Sequence, residues 1–221
     1  MTNLEALRLA NPQMPIHTIH EDAFRRYGRV IREDTAAFCA MAEKSVPFPQ
    51  EGSRYQAAIP ELDTMPEAEA FRQAHCGGLD EQIGLCWGHS NQLNALEWHT
   101  CNEFNIAVRE LVLLLAKRED LDADGRLDSA KVQAFYLAPG EFIEVYSDTL
   151  HFCPCEVTDA GFSCIVGLQP GTNLPLEESQ KKDKLWAANK WLLGHQDNTS
   201  LIARGAFPGI YGENWKIQPV K

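Results

Sequence analysis

The spacing of hydrophobic positions along the chain changes near Gly78. Before Gly78, apolar residues recur at helical intervals in segments 3–10, 34–44 and 65–78, with short extended stretches between them. After Gly78, short apolar runs rich in aromatic and β-branched residues are separated by turn residues, a spacing that predicts consecutive β-strands. The stretch 175–195 predicts a helix again.

This pattern predicts a single, mainly β domain over residues 1–221, built as a β-sandwich or barrel. Residues 1–78 would form an N-terminal α/β extension and residues 79–170 the β core. Residues 171–221 would form a C-terminal helix and tail. A chain of 221 residues is long enough for one domain with a substantial core.

Composition narrows the class of protein. The apolar fraction of 44% and the charged fraction of 23% are ordinary for a soluble globular protein. The net charge of −11 argues against nucleic acid or an anionic membrane as the main partner, and no apolar run is long enough to predict a membrane span. The first residues lack the features of a signal peptide, and the seven scattered cysteines form no CxxC, so we expect reduced thiols and a cytoplasmic location.

The segment "LEWHTCNEFN", residues 96–105, carries the candidate chemistry. Side chains that can bind a metal or move a proton stand at every second position: Glu97, His99, Cys101 and Glu103. A straight strand would put the first and last of them about 20 Å apart, too far for one ion. A metal site therefore requires a strand, a turn over 100–102 and a second strand. The alternative is a strand with one polar face.

A fourth ligand candidate lies in "APGEFIEVYSDTLHFCPCEV", residues 138–157. Pro139-Gly140 predicts a turn, a strand follows, and His151 lies beyond it in an apolar context. A single His in a strand is usually a satisfied core residue. Its position downstream of Glu97-x-His99-x3-Glu103 makes His151 a better ligand candidate.

These two segments resemble the cupin superfamily, whose first motif has the form H-x-H-x3-4-E and whose second ends in a His after a Pro/Gly turn. Glu97 replaces the first His of that pattern. The resemblance covers about residues 80–170 and implies a cupin-type double-stranded β-helix, a jelly-roll barrel. It also implies a metal site, with Glu97, His99, Glu103 and His151 as its ligands.

Two narrower resemblances accompany it. The combination of both segments looks like a poorly characterised family of cupin-like bacterial proteins. The stretch "FRRYGRVI", residues 24–31, is similar to the N-terminal part of ureidoglycolate lyases, which are also cupins.

Two His and two carboxylates suit a divalent transition metal such as Zn, Mn, Fe or Ni. A metal with open positions can polarise a substrate carbonyl. Cupin sugar isomerases and epimerases work this way, so the resemblance implies a similar reaction on a small hydroxylated carbonyl compound, a sugar or sugar phosphate. A lyase of the ureidoglycolate type, a non-catalytic sugar-binding cupin and a metal-free pocket remain open. Cupins often dimerise, so a homodimer also remains open.

Three residues are candidates for proton transfer. Glu144 and Tyr146 alternate on the strand that leads to His151, so we expect their two side chains to point to the same face of that strand. His89 lies one strand before the first motif and is a candidate proton shuttle or a supporting group. An ordinary exposed or core His is the alternative for His89.

Two residues are candidates for substrate binding, Asn94 and Lys190. Lys190, together with His195, could hold an anionic substrate. The alternative is that both lie on the predicted helix over 175–195, which would cover the barrel and pack through Trp186 and Trp191.

Overall fold

The computed structural model describes all 221 residues. Its helices are α1 (Asn3–Ala10), α2 (Ala36–Ser45), α3 (Pro60–Asp63), α4 (Pro66–His75) and α5 (Thr199–Ala203). Its strands are β1 (Ile16–Thr18), β2 (Gly28–Ile31), β3 (Ser53–Gln56), β4 (Gln82–Gly88), β5 (Ala95–Trp98), β6 (Glu103–Arg109), β7 (Leu111–Lys117), β8 (Leu127–Asp128), β9 (Gln133–Leu137), β10 (Phe142–Val145), β11 (Thr149–Leu150), β12 (Cys155–Glu156), β13 (Phe162–Leu168), β14 (Leu185–Ala187), β15 (Lys190–His195) and β16 (Phe207–Tyr211). None of these helices combines the length and the apolar character that a membrane span requires.

Two sheets form a barrel. The first has the order β1-β9-β7-β11, with β12 also beside β7, and the second has the order β2-β10-β6-β13-β4-β3. Buried apolar side chains from both sheets, including Ala107, Phe135 and Val145, form one cluster between them. The predicted fold class, a mainly β cupin-type double-stranded β-helix, is confirmed.

A third sheet covers the outer face of the first. Its order is β14-β15-β16-β8, and β5 pairs with β15. Leu96, Leu193 and Ile210 of the third sheet pack in one cluster with Val112 and Leu114 of β7. Because β7 is covered on both faces, all its residues are buried, which explains its continuous apolar run.

Helices cover the outer face of the second sheet. Phe38, Leu62 and Phe71 from α2, α3 and α4 pack in one cluster with Phe104 and Ile106 of β6. Side chains alternate along a strand, so the residues of β6 that alternate with Phe104 and Ile106 turn toward the barrel interior. These residues include the polar Glu103 and Asn105.

The N-terminal segment forms the predicted alternation of helices and strands. Thr2 caps α1 in a capping box with Glu5. The segment is not separate from the barrel, because β1 pairs with β9 of the first sheet while β2 and β3 form the two edges of the second. The barrel sheets therefore include strands from both the N-terminal extension and the β core.

The predicted helix over 175–195 is wrong. That segment contains β14 and β15, joined by a turn at Ala188-Asn189, and the C-terminal helix is instead the short α5. Trp191 of β15 lies opposite Trp98 of β5, and their rings stack with centroids 6.1 Å apart. Pairing with β5 and burial outweigh the helical preference of the sequence.

Candidate functional site

The predicted strand–turn–strand over the first motif is confirmed. β5 ends at Trp98, four residues without regular structure follow, and β6 begins at Glu103. Because β5 belongs to the third sheet and β6 to the second, the turn is a corner between sheets. The corner brings His99 Nε2 to 3.4 Å from Glu103 Oε2.

A backbone bridge joins the first motif to the second. The Glu97 N–H donates to the His151 carbonyl over 2.6 Å, and the His151 N–H donates to the Glu97 carbonyl over 2.9 Å. Residues that exchange both hydrogen bonds lie directly opposite, about 5.5 Å apart at Cα. Their side chains therefore share one face.

All four predicted metal ligands lie in one cluster. Glu97, His99 and His151 are buried, and each offers a ligand atom within 4.8 Å of the other two. Glu103 Oε2 completes the cluster at 3.1 Å from His151 Nε2. The structure thus brings these four side chains together; that they bind a metal stays a prediction.

Both imidazoles bind a backbone carbonyl through the same ring nitrogen, Nδ1. His99 Nδ1 lies 2.7 Å from the Asn189 carbonyl oxygen, and His151 Nδ1 lies 3.0 Å from that of Thr149. A carbonyl only accepts, so each Nδ1 carries the hydrogen, and in the neutral ring each Nε2 offers its lone pair to the cluster.

One of these nitrogens has no hydrogen-bond partner. His99 Nε2 is buried and unpartnered, on a side chain with 0% exposure. A buried nitrogen without a partner is unfavourable, and a metal ion would satisfy it. The donor set of two imidazoles and two carboxylates therefore fits a divalent transition metal.

The cluster is electrostatically coupled. Burial alone would lower the pKa of His151, but the Glu103 carboxylate outweighs burial and raises the pKa of His151 to about 9. Burial alone would raise the pKa of Glu103, but His151 and then His99 hold it well below its usual range. Without a metal, Glu103 and His151 therefore form an ion pair at neutral pH.

A cavity of about 240 Å³ opens onto the cluster, and we name it the inner cavity. Glu97, Glu103 and His151 line it together with Lys190 and Tyr55. Lys190 Nζ lies 2.6 Å from Glu97 Oε2 as an ion pair, without the angles of a hydrogen bond. The substrate-binding candidate Lys190 is thus beside the metal candidates.

Sequence reasoning missed Asn189, which positions His99. Its carbonyl accepts from His99 Nδ1, and its side-chain oxygen accepts from Thr100 N over 2.9 Å and Oγ1 over 2.6 Å. Its Nδ2 donates to Thr172 Oγ1 over 3.0 Å. Its φ of 54° is left-handed, a conformation that Asn tolerates better than most residues. In the sequence, the signal that could have predicted this turn was an Asn between two runs that contain aromatic residues.

Glu144 and Tyr146 do not reach the inner cavity. On the paired strands Val145 lies opposite Glu103 and Glu144 lies opposite Phe104, so Glu144 points to the outer face of the sheet. Neither Glu144 nor Tyr146 lines the inner cavity, so the structure does not bring these two candidates for proton transfer to the cluster. Asn102 Nδ2 donates to Glu144 over 2.6 Å, and Arg29 forms an ion pair with it.

The remaining candidates also lie outside the inner cavity. His89 Nδ1 lies 2.7 Å from Glu156 Oε2, and its ring contacts Phe48. Asn94 lines a neighbouring cavity instead. His195 is on β15 rather than a helix and is fully buried, so it does not join Lys190 in the inner cavity.

Fold and site together define a cupin-type barrel with a buried His/Glu cluster that could hold a divalent metal. A family model described as "Domain of unknown function (DUF4867)" matches residues 16–215. The chain belongs to this family. A search of curated proteins found no match.

Solved structures similar to the chain include oxalate decarboxylases of Bacillus subtilis. An arginine-to-alanine mutant is 13% identical with a TM-score of 0.29, over 44% of this chain and 24% of that one. A serine-to-alanine mutant is 12% identical with a TM-score of 0.33, over 74% and 35%. The chain spans about a quarter to a third of the length of these enzymes. At these values the likeness says nothing about the reaction of this chain.

Proposed function

We propose that this protein is a metal-dependent cupin enzyme that isomerises or epimerises a small hydroxylated carbonyl compound such as a sugar or sugar phosphate. One observation carries the proposal. His99 and His151 each bind a backbone carbonyl through Nδ1 and turn Nε2 toward Glu97 and Glu103. Histidines fixed in this way are typical of metal ligands.

Glu97, His99, Glu103 and His151 would hold Zn, Mn, Fe or Ni. When bound, the metal supplies a Lewis acid that polarises a carbonyl oxygen. The inner cavity of about 240 Å³ is small, since pockets for drug-sized ligands run from about 300 to 1,000 Å³. A small substrate fits this volume.

Two other side chains of the inner cavity can stabilise a substrate oxygen. Lys190 brings a positive charge next to Glu97. Tyr55 Oη accepts from Asn173 Nδ2 over 3.1 Å, so its own O–H is free to donate to substrate. Burial raises the pKa of Tyr55, so the O–H keeps its proton at neutral pH. Lys190 and Tyr55 replace Glu144, Tyr146 and His89 as our candidates for proton donation as charge develops.

The first experiment measures transition metal per chain in purified protein and in the variants His151→Ala and Glu97→Gln. We expect about one metal per chain, lost in both variants with circular dichroism unchanged. The matched control is His89→Ala, which removes a His–Glu pair outside the inner cavity and should leave metal content unchanged. Absence of metal from every preparation, and no thermal shift on adding Mn, Zn, Fe(II) or Ni, would contradict the metal mechanism.

The second experiment follows solvent deuterium into candidate sugars and sugar phosphates by NMR. An isomerase or epimerase exchanges a proton at the carbon next to the carbonyl, and the exchange should require the metal. Stabilisation of the protein by a sugar without exchange would identify a binding module instead. Release of glyoxylate from ureidoglycolate would identify a lyase.

A further inference from the structure

A second cavity of about 290 Å³, which we name the outer cavity, adjoins the inner cavity. The two share the wall residues Ser53, Phe152 and Cys153. These three residues face both cavities, so a ligand that reached from the His/Glu cluster into the outer cavity would pass them.

The lining of the outer cavity is mostly polar, and its charge is positive. Besides the shared residues it consists of Ser90, Gln92, Asn94, Asn198, Ser200, Leu201 and Arg204. No carboxylate is among them, although the chain has 31 acidic residues and a net charge of −11. Arg204 is its only charged residue.

Arg204 is free to bind a ligand. It has no carboxylate partner and no side-chain hydrogen bond, and its guanidinium lies 5.8 Å from the centroid of the Trp186 ring. A guanidinium presents several N–H donors in one plane and binds phosphate or carboxylate through two of them.

Neighbouring amides add donors. Asn198 Oδ1 already accepts from Leu201 N over 3.2 Å and Ser200 Oγ over 3.0 Å, so its Nδ2 is the group left for a ligand. Asn94 Oδ1 likewise accepts from Asn214 Nδ2 over 3.4 Å. The free groups of Arg204, Asn198 and Asn94 are all donors, and donors with a positive charge select an oxyanion.

We propose that the outer cavity binds an oxyanion group of the substrate, a phosphate or a carboxylate, while the carbonyl end occupies the inner cavity. This inference rests on the proposed function. It makes the substrate a phosphorylated or acidic hydroxycarbonyl compound rather than a neutral sugar.

The test titrates the protein with inorganic phosphate and, separately, acetate by isothermal calorimetry and thermal shift. Arg204→Gln should weaken binding of the preferred anion about tenfold, since a charge-assisted pair is lost. The matched control is Arg126→Gln, because Arg126 also lies over an aromatic ring, 4.9 Å from the Tyr211 centroid, and lines neither cavity. It should bind the anion as the wild type does.

Two comparisons keep this result separate from the metal proposal. His151→Ala should lose metal and still bind the anion, so failure of one proposal does not hide the other. Glucose, glucose 6-phosphate and glucuronate then distinguish the sources, since only the compound with the preferred anion should bind more tightly than glucose. Arg54 is a second arginine and lines the inner cavity. Binding of neither anion, an equal effect of Arg204→Gln and Arg126→Gln, or a loss of binding confined to Arg54→Gln would overturn the inference.

Discussion

Two groups of carboxylates lie on opposite faces of the second sheet, and they differ in their partners. On the inner face, Glu103 contacts His151, and its pKa is held well below the usual range. On the outer face, Glu81 is buried without such a partner, and burial raises its pKa to about 7. Glu144 also lies on the outer face, next to Arg29 and Asn102.

The contrast shows that neighbours, rather than residue type, make a carboxylate a ligand candidate. Glu103 faces imidazole nitrogens that can themselves bind a metal. Glu144 faces a guanidinium and an amide, which donate hydrogen bonds and leave no second ligand for a metal. Glu103 and Glu144 lie on paired strands, one residue out of register, so strand alternation alone separates the two roles.

The largest expected effect comes from removing a ligand on the inner face. His151→Ala should weaken metal binding by more than about a hundredfold, beyond the 10–100-fold typical for loss of an outer partner. Glu144→Gln should leave metal affinity unchanged, since its carboxylate points to the other face. Calorimetric titration with Zn or Mn measures both, and equal losses would remove the distinction between the two faces.

The pH dependence of metal affinity tests the coupling on the inner face. His151 is protonated below its pKa of about 9, and its proton must leave before Nε2 can bind a metal. Affinity should therefore rise about tenfold per pH unit up to about pH 9 and then level off. Metal titrations between about pH 6 and about pH 10, below and above this pKa, measure how affinity changes with pH. An affinity that does not change over this range would contradict the assignment of His151 as a ligand.

Asn189→Gly tests whether the turn between β14 and β15 positions His99. Glycine keeps the left-handed backbone and the carbonyl but removes the side-chain contacts to Thr100 and Thr172. Metal affinity should fall about tenfold, the lower end of the range for outer partners. Asp183→Gly, also at a left-handed residue, is the control and should leave affinity unchanged. Full affinity of the Asn189 variant would show that the backbone alone orients His99.

The smallest effect concerns the stability of the outer face. The pKa of Glu81 is raised from 4.5 to about 7, so its contribution to folding is fully present below pH 4.5 and is lost as pH rises through about 7. Glu81→Gln should remove this loss and stabilise the protein by on the order of 1–3 kcal/mol above pH 7. The free energy of unfolding in urea, measured for both proteins at about pH 4.5 and about pH 8, checks this prediction. An equal stability difference at both pH values would show that Glu81 does not titrate in this way.

Local pattern predicted the strands, the barrel and the corner at residues 100–102, because alternation, turn residues and the ligand distance all constrain the same segment. It did not predict the segment 185–195, whose apolar residues suit a helix and become strands only through pairing with β5. Asn189 was missed for the same reason, since its partner His99 is far away in sequence. The sequence could not place Glu144 outside the inner cavity, because the register between β6 and β10 is a property of the sheet.

The reciprocal backbone hydrogen bonds between Glu97 and His151 affect how this site can evolve. They fix the spacing of two proposed ligand positions without using either side chain. A His at position 97 would keep the same backbone pairing with His151. It would change the donor set to three imidazoles and one carboxylate, which favours softer metals. If the cluster holds a metal as proposed, a single replacement at position 97 would change the metal it prefers, while the barrel and the corner that carries His99 stay as they are.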